Sequence, residues 1–414
     1  MQEYAQEIGR VLAPDLPGCD CGQLMTAPAQ SCLRRDINFG AWHYFVIALK
    51  KVLCKNEWLV LHRTPGAQLL FLMDSWRRDH WRSFEKVVGT APGSDTLCVE
   101  QRHRAWRTPG GMCRCAVQAV RWMHRARRTR LSRLEAWMCL PYFQLAVDAA
   151  ADLAAVDFSA YRMVTVFLDI WHSSAMAVQR CRALGVPTAT LQHGIYSAFE
   201  GHIWALERSD ADLFLAWNRF TVQQAAALGC DTARFRVLGI PKYIGVPPLP
   251  AQTQSTGCFG VVMNGFPYRE DRAMLRAANA LCAQTGMRYY VRYHPLQPAD
   301  QYAADIAPGA LAGDLTGTPL AEYADRVDFS LVGCSTVFTE LVYLNRRAYH
   351  YVDAREPNIY AALRAGAFST PADVLQNESQ KESVRQELFD ELCTVQDIEG
   401  SYRAFYADVC KEKA

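Results

Sequence analysis

From about residue 161 onward, short apolar runs alternate with stretches whose apolar positions recur at three- and four-residue spacing, which predicts strands and helices in turn. "MVTVFLDIW" (163–171) reads as a buried strand. "HSSAMAVQRCRALG" (172–185) reads as a helix opened by Ser173 or Ser174 and closed by Gly185, with Ala177, Cys181 and Leu184 on one face. "VPTATLQ" (186–192) is the next strand, and the three together make one right-handed crossover unit. "ADLFLAW", "NRFTVQQAAALGC" and "RFRVLGIP" continue the alternation to residue 241.

The pattern breaks at "GVPPLPAQTQSTG" (245–257), where Pro247, Pro248, Pro250 and small polar residues leave no period. It restarts with "CFGVVMN", a helix over "REDRAMLRAANALCAQTG", then "RYYVRYHP", "VDFSLVG", "STVFTELVYLN" and "RAYHYV". The expected fold class is α/β, with two Rossmann-like domains at 1–245 and 257–385, a linker at 246–256, and a helical segment at 386–414 that can cross back over either domain. The first 160 residues are less regular, and "QLLFLMDS" (68–75) and "GSDTLCVEQ" (93–101) are their strand candidates.

Composition narrows the class without choosing a function. At 414 residues, 50% hydrophobic and 21% charged, the chain can bury a large core and is unlike a disordered protein. A net charge of +2 gives no global pointer to nucleic acid. Fifteen scattered cysteines, an odd number, read as reduced thiols. Cys19-x-Cys21 and Cys113-x-Cys115 lack the spacing of a tetrahedral metal site, so no metal is expected. The polar start "MQEYAQEIGR" and the lack of any run near the ~18 apolar residues of a membrane span predict a cytoplasmic protein.

In open parallel sheets, ligands bind beyond the carboxyl ends of strands. Four such ends carry chemistry: Asp169 with His172, His193-Gly194, His294-Pro295, and Gly333-Cys334-Ser335-Thr336. Small residues and hydroxyls before a helix suit a phosphate, although Ser335 also suits a plain N-cap. His294, directed by Pro295, can donate to a leaving phosphate. An unperturbed imidazole titrates near neutral pH, so His193 can act as a base, with Gly194 giving room beside it and Asp169 as a second candidate.

The phrases "LDIWHSSAMAVQRCRALGVPTATLQHG", "DLFLAWNRFTVQQAAALG", "VLGIPKY", "VRYHP" and "VGCSTVFTELVYLN" resemble the two-Rossmann GT-B glycosyltransferases of bacterial surface polysaccharides, among them capsule Kdo-transferases, sialyltransferases and CDP-glycerol polymer synthases. The likeness covers about residues 160–355. It implies two domains facing a cleft, with the acceptor side in 1–245 and the nucleotide donor in 257–385. It implies a donor site of His294, Pro295, Gly333, Ser335, Thr336 and Glu340, a base at His193 or Asp169, and supporting roles for Gly194, His172 and Arg292. One departure stands at Asn345-Arg346-Arg347, where relatives carry a glycine and then a proline; asparagine also accepts the left-handed conformation that stops a helix.

The activity implied is inverting transfer of a sugar from a CMP-, CDP- or UDP-linked donor, which is a substrate and not a cofactor, to a glycan or lipid-linked glycan acceptor. The alternatives are a nucleotide-sugar epimerase of the same fold, disfavoured because the strand ends show few carboxylates and arginines, and a non-catalytic scaffold that binds glycan or membrane. Residues 102–133 hold ten arginines and no acid, interleaved with Trp106 and Trp122. That segment suits peripheral contact with the cytoplasmic face of an inner membrane as well as a solvated helix face. No nucleic-acid partner is expected.

Overall fold

The computed structural model describes residues 2–26, 29, 41–75, 77–101, 105–170, 172–197, 206–264, 268–294, 299–353 and 359–411. Two sheets organise them. The first joins β1 (Glu57–His62), β2 (Leu69–Met73), β3 (Ser94–Gln101), β4 (Met163–Val166), β5 (Thr188–Leu191), β6 (Leu213–Ala216) and β7 (Phe235–Val237) in the order β1-β3-β2-β4-β5-β6-β7. All neighbours are parallel except β1, which runs antiparallel to β3 at the edge. β2, β4 and β5 are buried throughout, as strands covered by helices on both faces must be.

The second sheet joins β8 (Cys258–Val262), β9 (Arg288–Arg292), β10 (Leu311–Asp314), β11 (Ser330–Val332), β12 (Ala348–Tyr351) and β13 (Ala367–Phe368) in the all-parallel order β10-β9-β8-β11-β12-β13. Strand order reverses between β8 and β11 here, and between β2 and β4 in the first sheet. Those two switch points are where crevices open. The fold is therefore α/β with two parallel-sheet domains facing a cleft.

Local stops follow the sequence. Gly185 (φ 68°) and Gly229 (φ 75°) close their helices, and Asn345 (φ 59°) does so as the non-glycine left-handed residue among those described. The helix His172–Leu184 differs from expectation in its amino-terminal cap and in its buried face. Its first turn is capped from another element, because the backbone N–H and Oγ of Ser174 donate to Asp74 Oδ2 at 3.1 and 2.8 Å. Leu184 is 55% exposed, and the buried residues are Ser173 to Val178 with Cys181.

The first 160 residues hold β1 to β3 and several helices, including Ala41–Leu53, Arg78–Thr90, Pro109–Ala126 and Arg133–Leu153, the last opened by a capping box of Ser132 and Glu135. One apolar core runs through both sheets and the C-terminal helices, and a second packs the amino-terminal helices on the first sheet. The helix Ile398–Lys411 crosses back onto the first domain, where the Tyr406 ring meets Phe71 at 5.1 Å and Tyr402 OH donates to the Gly239 carbonyl at 3.3 Å. Gly239 has φ 93°, and a Cβ there would sit 2.7 Å from Ile398, so the crossing requires glycine twice over.

Candidate functional site

Gln192 directly follows β5, and this residue explains the turn. Its backbone N–H makes the last rung to Leu215 at 3.2 Å. The buried amide then donates to the Gly194 carbonyl at 2.6 Å and to Thr221 Oγ1 at 3.0 Å, and accepts from the Trp217 N–H at 2.8 Å. The indole of Trp217 adds a bond to the Gln192 carbonyl at 2.7 Å. A polar side chain so saturated costs nothing to bury and fixes His193 at the mouth of the sheet.

His193 lines a cavity of about 780 Å³ enclosed by segments that follow β2, β4, β5, β6, β7 and β11. Its Nδ1 meets Tyr196 OH. Burial, with the charge of Asp169 adding to it, holds that phenol far above its usual range, so it stays protonated. The His80 ring stands 5.6 Å from His193, and Phe167 packs on both imidazoles. Burial, helped by Arg77, pushes His80 down to about 4, so it is neutral at pH 7. Its Nδ1 lies 2.9 Å from Ser75 Oγ.

Charge reaches the cavity from Arg77 and the helix Arg78–Thr90, which supply Asp79, Arg82 and Lys86, and from Lys242 and Glu340. Two of these are ion pairs: Arg77 with Asp79 at 2.5 Å, and Lys242 with Glu340, which ties the segment after β7 to the second domain. Lys86 donates to the carbonyls of Lys242 and Ile244 at 2.7 and 2.9 Å. Arg82 is exposed and, among the described residues, forms no ion pair.

The expected site residues divide. His193, Gly194, Thr336 and Glu340 line the cavity. Gly194 is not left-handed, and a Cβ there would meet nothing within 4 Å, so it gives space but no special backbone conformation. Thr336 is the N-cap of the seven-residue helix Val337–Tyr343 without a side-chain cap bond, whereas Ser335 Oγ accepts from the Val337 N–H at 3.3 Å and stays out of the cavity wall. At Gly333 and Cys334 the expected anion place is filled from within: Glu270 Oε1 accepts from the Cys334 N–H at 2.8 Å.

Four other residues are placed away from the cavity. Asp169 is 1% exposed, and its Oδ2 accepts from Ser209 Oγ, Asp210 N–H and Ala211 N–H at 2.9, 2.6 and 2.9 Å. It organises a loop and is not part of the cavity wall. His172 lies in a separate hollow with Glu57 and Asp152, pushed down to about 4 by burial. Arg292 donates to the Leu315 and Thr318 carbonyls at 3.2 and 2.5 Å, binding the loop after β10. His294 follows β9 at the carboxyl edge but is not part of the cavity wall, and Pro295 lies outside the described residues.

The residues from Arg77 to Lys86 were not anticipated. They follow β2, whose "LMDS" ending is polar, so the strand-end rule applied to that strand points to them.

No family model matches the sequence, and no curated protein matches it. Solved structures do resemble the fold. MnaA of S. aureus in a co-structure with UDP has a TM-score of 0.50 at 12% identity, covering 84% of this chain and 99% of its own. UDP-N-acetylglucosamine 2-epimerase from Rickettsia bellii has a TM-score of 0.47 at 12% identity over 84% and 97%. The wall teichoic acid polymerase TagF has 0.41 at 10% identity over 83% and 89%. At such identities the likeness is one of fold, the GT-B arrangement of two Rossmann-like domains.

Proposed function

We propose that this chain is an enzyme acting on a nucleotide sugar held between its two domains. One observation carries the reading: the cavity lies at the carboxyl ends of both parallel sheets, and Arg77, Arg82, Lys86 and Lys242 bring cationic groups into it. Arginine in particular matches phosphate oxygens. The co-structure of MnaA with UDP supports a nucleoside diphosphate as the common part of the ligand.

Within that reading, epimerisation of the bound sugar comes first. The objection to it from sequence was a shortage of charged groups at the strand ends. The helix Arg78–Thr90 and its preceding Arg77 supply the missing arginines, together with Asp79. Epimerisation beside the anomeric carbon takes a proton from the ring carbon while its electron pair expels the nucleoside diphosphate, and the diphosphate adds back as a proton returns to the opposite face. His193, which lines the cavity, is assigned the removal of that proton. Inverting transfer to a glycan acceptor is the second reading, supported because both carboxylates in the cavity wall, Asp79 and Glu340, are held in ion pairs and leave an imidazole as the base.

The test is incubation with UDP-GlcNAc in D₂O without acceptor, followed by proton NMR. An epimerase gives the inverted sugar with deuterium at the inverted carbon. A transferase leaves the sugar unlabelled throughout and moves it only when an acceptor is added. A thermal-shift screen of CMP, CDP, UDP and GDP precedes it, and no shift with any of them defeats the nucleotide-sugar reading as a whole.

A further inference from the structure

The helix Pro109–Ala126 buries Cys115, Trp122 and Ala126 and turns a mixed face outward. Arg114 and Arg121 stand seven residues apart on one face of it, and Arg128 follows, exposed, in the turn after the helix. On the same helix, Val117 is 45% exposed and Val120 70%, and Trp106, just before the helix, is 65% exposed. Two arginines of the region are structural: Arg107 pairs with Asp148, and Arg125 with Asp15 at 2.5 Å. Among the described residues, Arg114, Arg121, Arg127, Arg128 and Arg133 form no ion pair.

The exposed apolar surface continues onto the helix Ala41–Leu53, which packs on the helix Arg133–Leu153 through Phe45 and Trp137 at 5.3 Å. Trp42 is 74% exposed there, with Val46 and Leu49 exposed on the same helix. Between the helices Pro109–Ala126 and Arg133–Leu153 runs a groove of about 530 Å³, lined by Met123, Leu131, Trp137 and Leu140 and by Arg127 and Arg133. Exposed tryptophans and valines beside arginines without ion-pair partners among the described residues match a surface that meets apolar chains beneath a layer of negative charge.

We propose that this face docks on an anionic lipid bilayer, the arginines against headgroup phosphates and Trp42, Trp106 and Val120 among the upper acyl chains. The commitment to lipid rests on charge complementarity, since the unpaired cations surround the apolar area and no acid stands between residues 102 and 133. The proposal is independent of the reaction in the cleft.

Co-sedimentation of the full chain with vesicles tests it, using phosphatidylcholine alone and phosphatidylcholine with about one-third phosphatidylglycerol, across a salt series. Binding is expected to the second and to weaken with salt. The triple variant R114Q/R121Q/R128Q is expected to lose on the order of a hundredfold in partition, about fivefold per arginine neutralised. Trp106→Ser with Val120→Ser is expected to reduce binding that salt does not remove. All five positions are exposed, and unchanged melting and UDP thermal shift establish that the variants fold. Equal binding to both vesicle types, or no binding to either, overturns the proposal. So does a dimer in sedimentation velocity that the Val120→Ser variant dissociates, or preferential binding to duplex RNA or DNA.

Discussion

Replacing Gln192 by leucine nearly conserves volume and removes three side-chain hydrogen bonds at once. The amide is 1% exposed and joins the Gly194 carbonyl, Thr221 Oγ1 and the Trp217 N–H at 2.6, 3.0 and 2.8 Å. Thr221 keeps a bond to Asn218 Oδ1 at 3.0 Å, so its hydroxyl is not orphaned. The Trp217 N–H and the Gly194 carbonyl lose their partner, at about 1–3 kcal/mol for each group left unpaired. Gly194 is half-buried at the cavity wall and can take a water, which sets the expected loss at about 2–4 kcal/mol. Urea unfolding followed by tryptophan fluorescence measures it. Gln192→Glu keeps the shape but turns a donor into an acceptor facing the Gly194 carbonyl, and its instability is expected to lessen as pH falls and the carboxyl protonates. Both variants are expected to weaken UDP binding, because the turn that carries His193 is no longer fixed. A Gln192→Leu protein within about 0.5 kcal/mol of the parent, with unchanged UDP affinity, would refute this account of the turn.

Arg82→Ala removes the cavity cation without an ion-pair partner among the described residues; UDP affinity is expected to fall roughly tenfold or more, as one charge-assisted hydrogen bond predicts, with no change in melting. His193→Ala is expected to abolish turnover or reduce it by roughly 10²–10⁴-fold while UDP still binds, read by product NMR and calorimetry. His350 is fully buried against the rings of Phe338 and Tyr360 at 5.1 and 5.7 Å, and burial pushes it down to about 4 from an ordinary 6.5. Above pH 6.5 it is neutral folded and unfolded; between there and pH 4 only the unfolded chain takes the proton, so stability is lost as pH falls, up to about 3 kcal/mol. Urea midpoints at pH 7 and pH 4.5 are expected to differ less in His350→Leu than in the parent.

Much of the scaffold was legible from residue 161 onward because each local signal agreed with the tertiary outcome. Buried parallel strands read as unbroken apolar runs, and left-handed helix stops read as Gly185, Gly229 and Asn345. The irregular stretch before residue 327 concealed β10, whose "LAGD" has neither β-branched nor aromatic residues. The amino-terminal helices were obscure because their burial depends on partners distant in sequence, as when Trp122 Nε1 donates to Asp15 at 2.8 Å.

The sequence by itself determined the element types, the fold class and the placing of His193 at a strand end, since periodicity and turn chemistry act within a few residues. Only the tertiary structure decided which strand-end groups face the cleft. Asp169, His172 and Arg292 have the same residue types and local settings as true cavity residues, yet each is turned to loop donors, to another hollow or to loop carbonyls. Direction at the end of a strand is set by the nearest unpaired donor or acceptor, and that partner belongs to another part of the chain. Arg77 to Lys86 enter the site for the same reason: sheet order, not sequence distance, stands β2 beside β4 at the switch point.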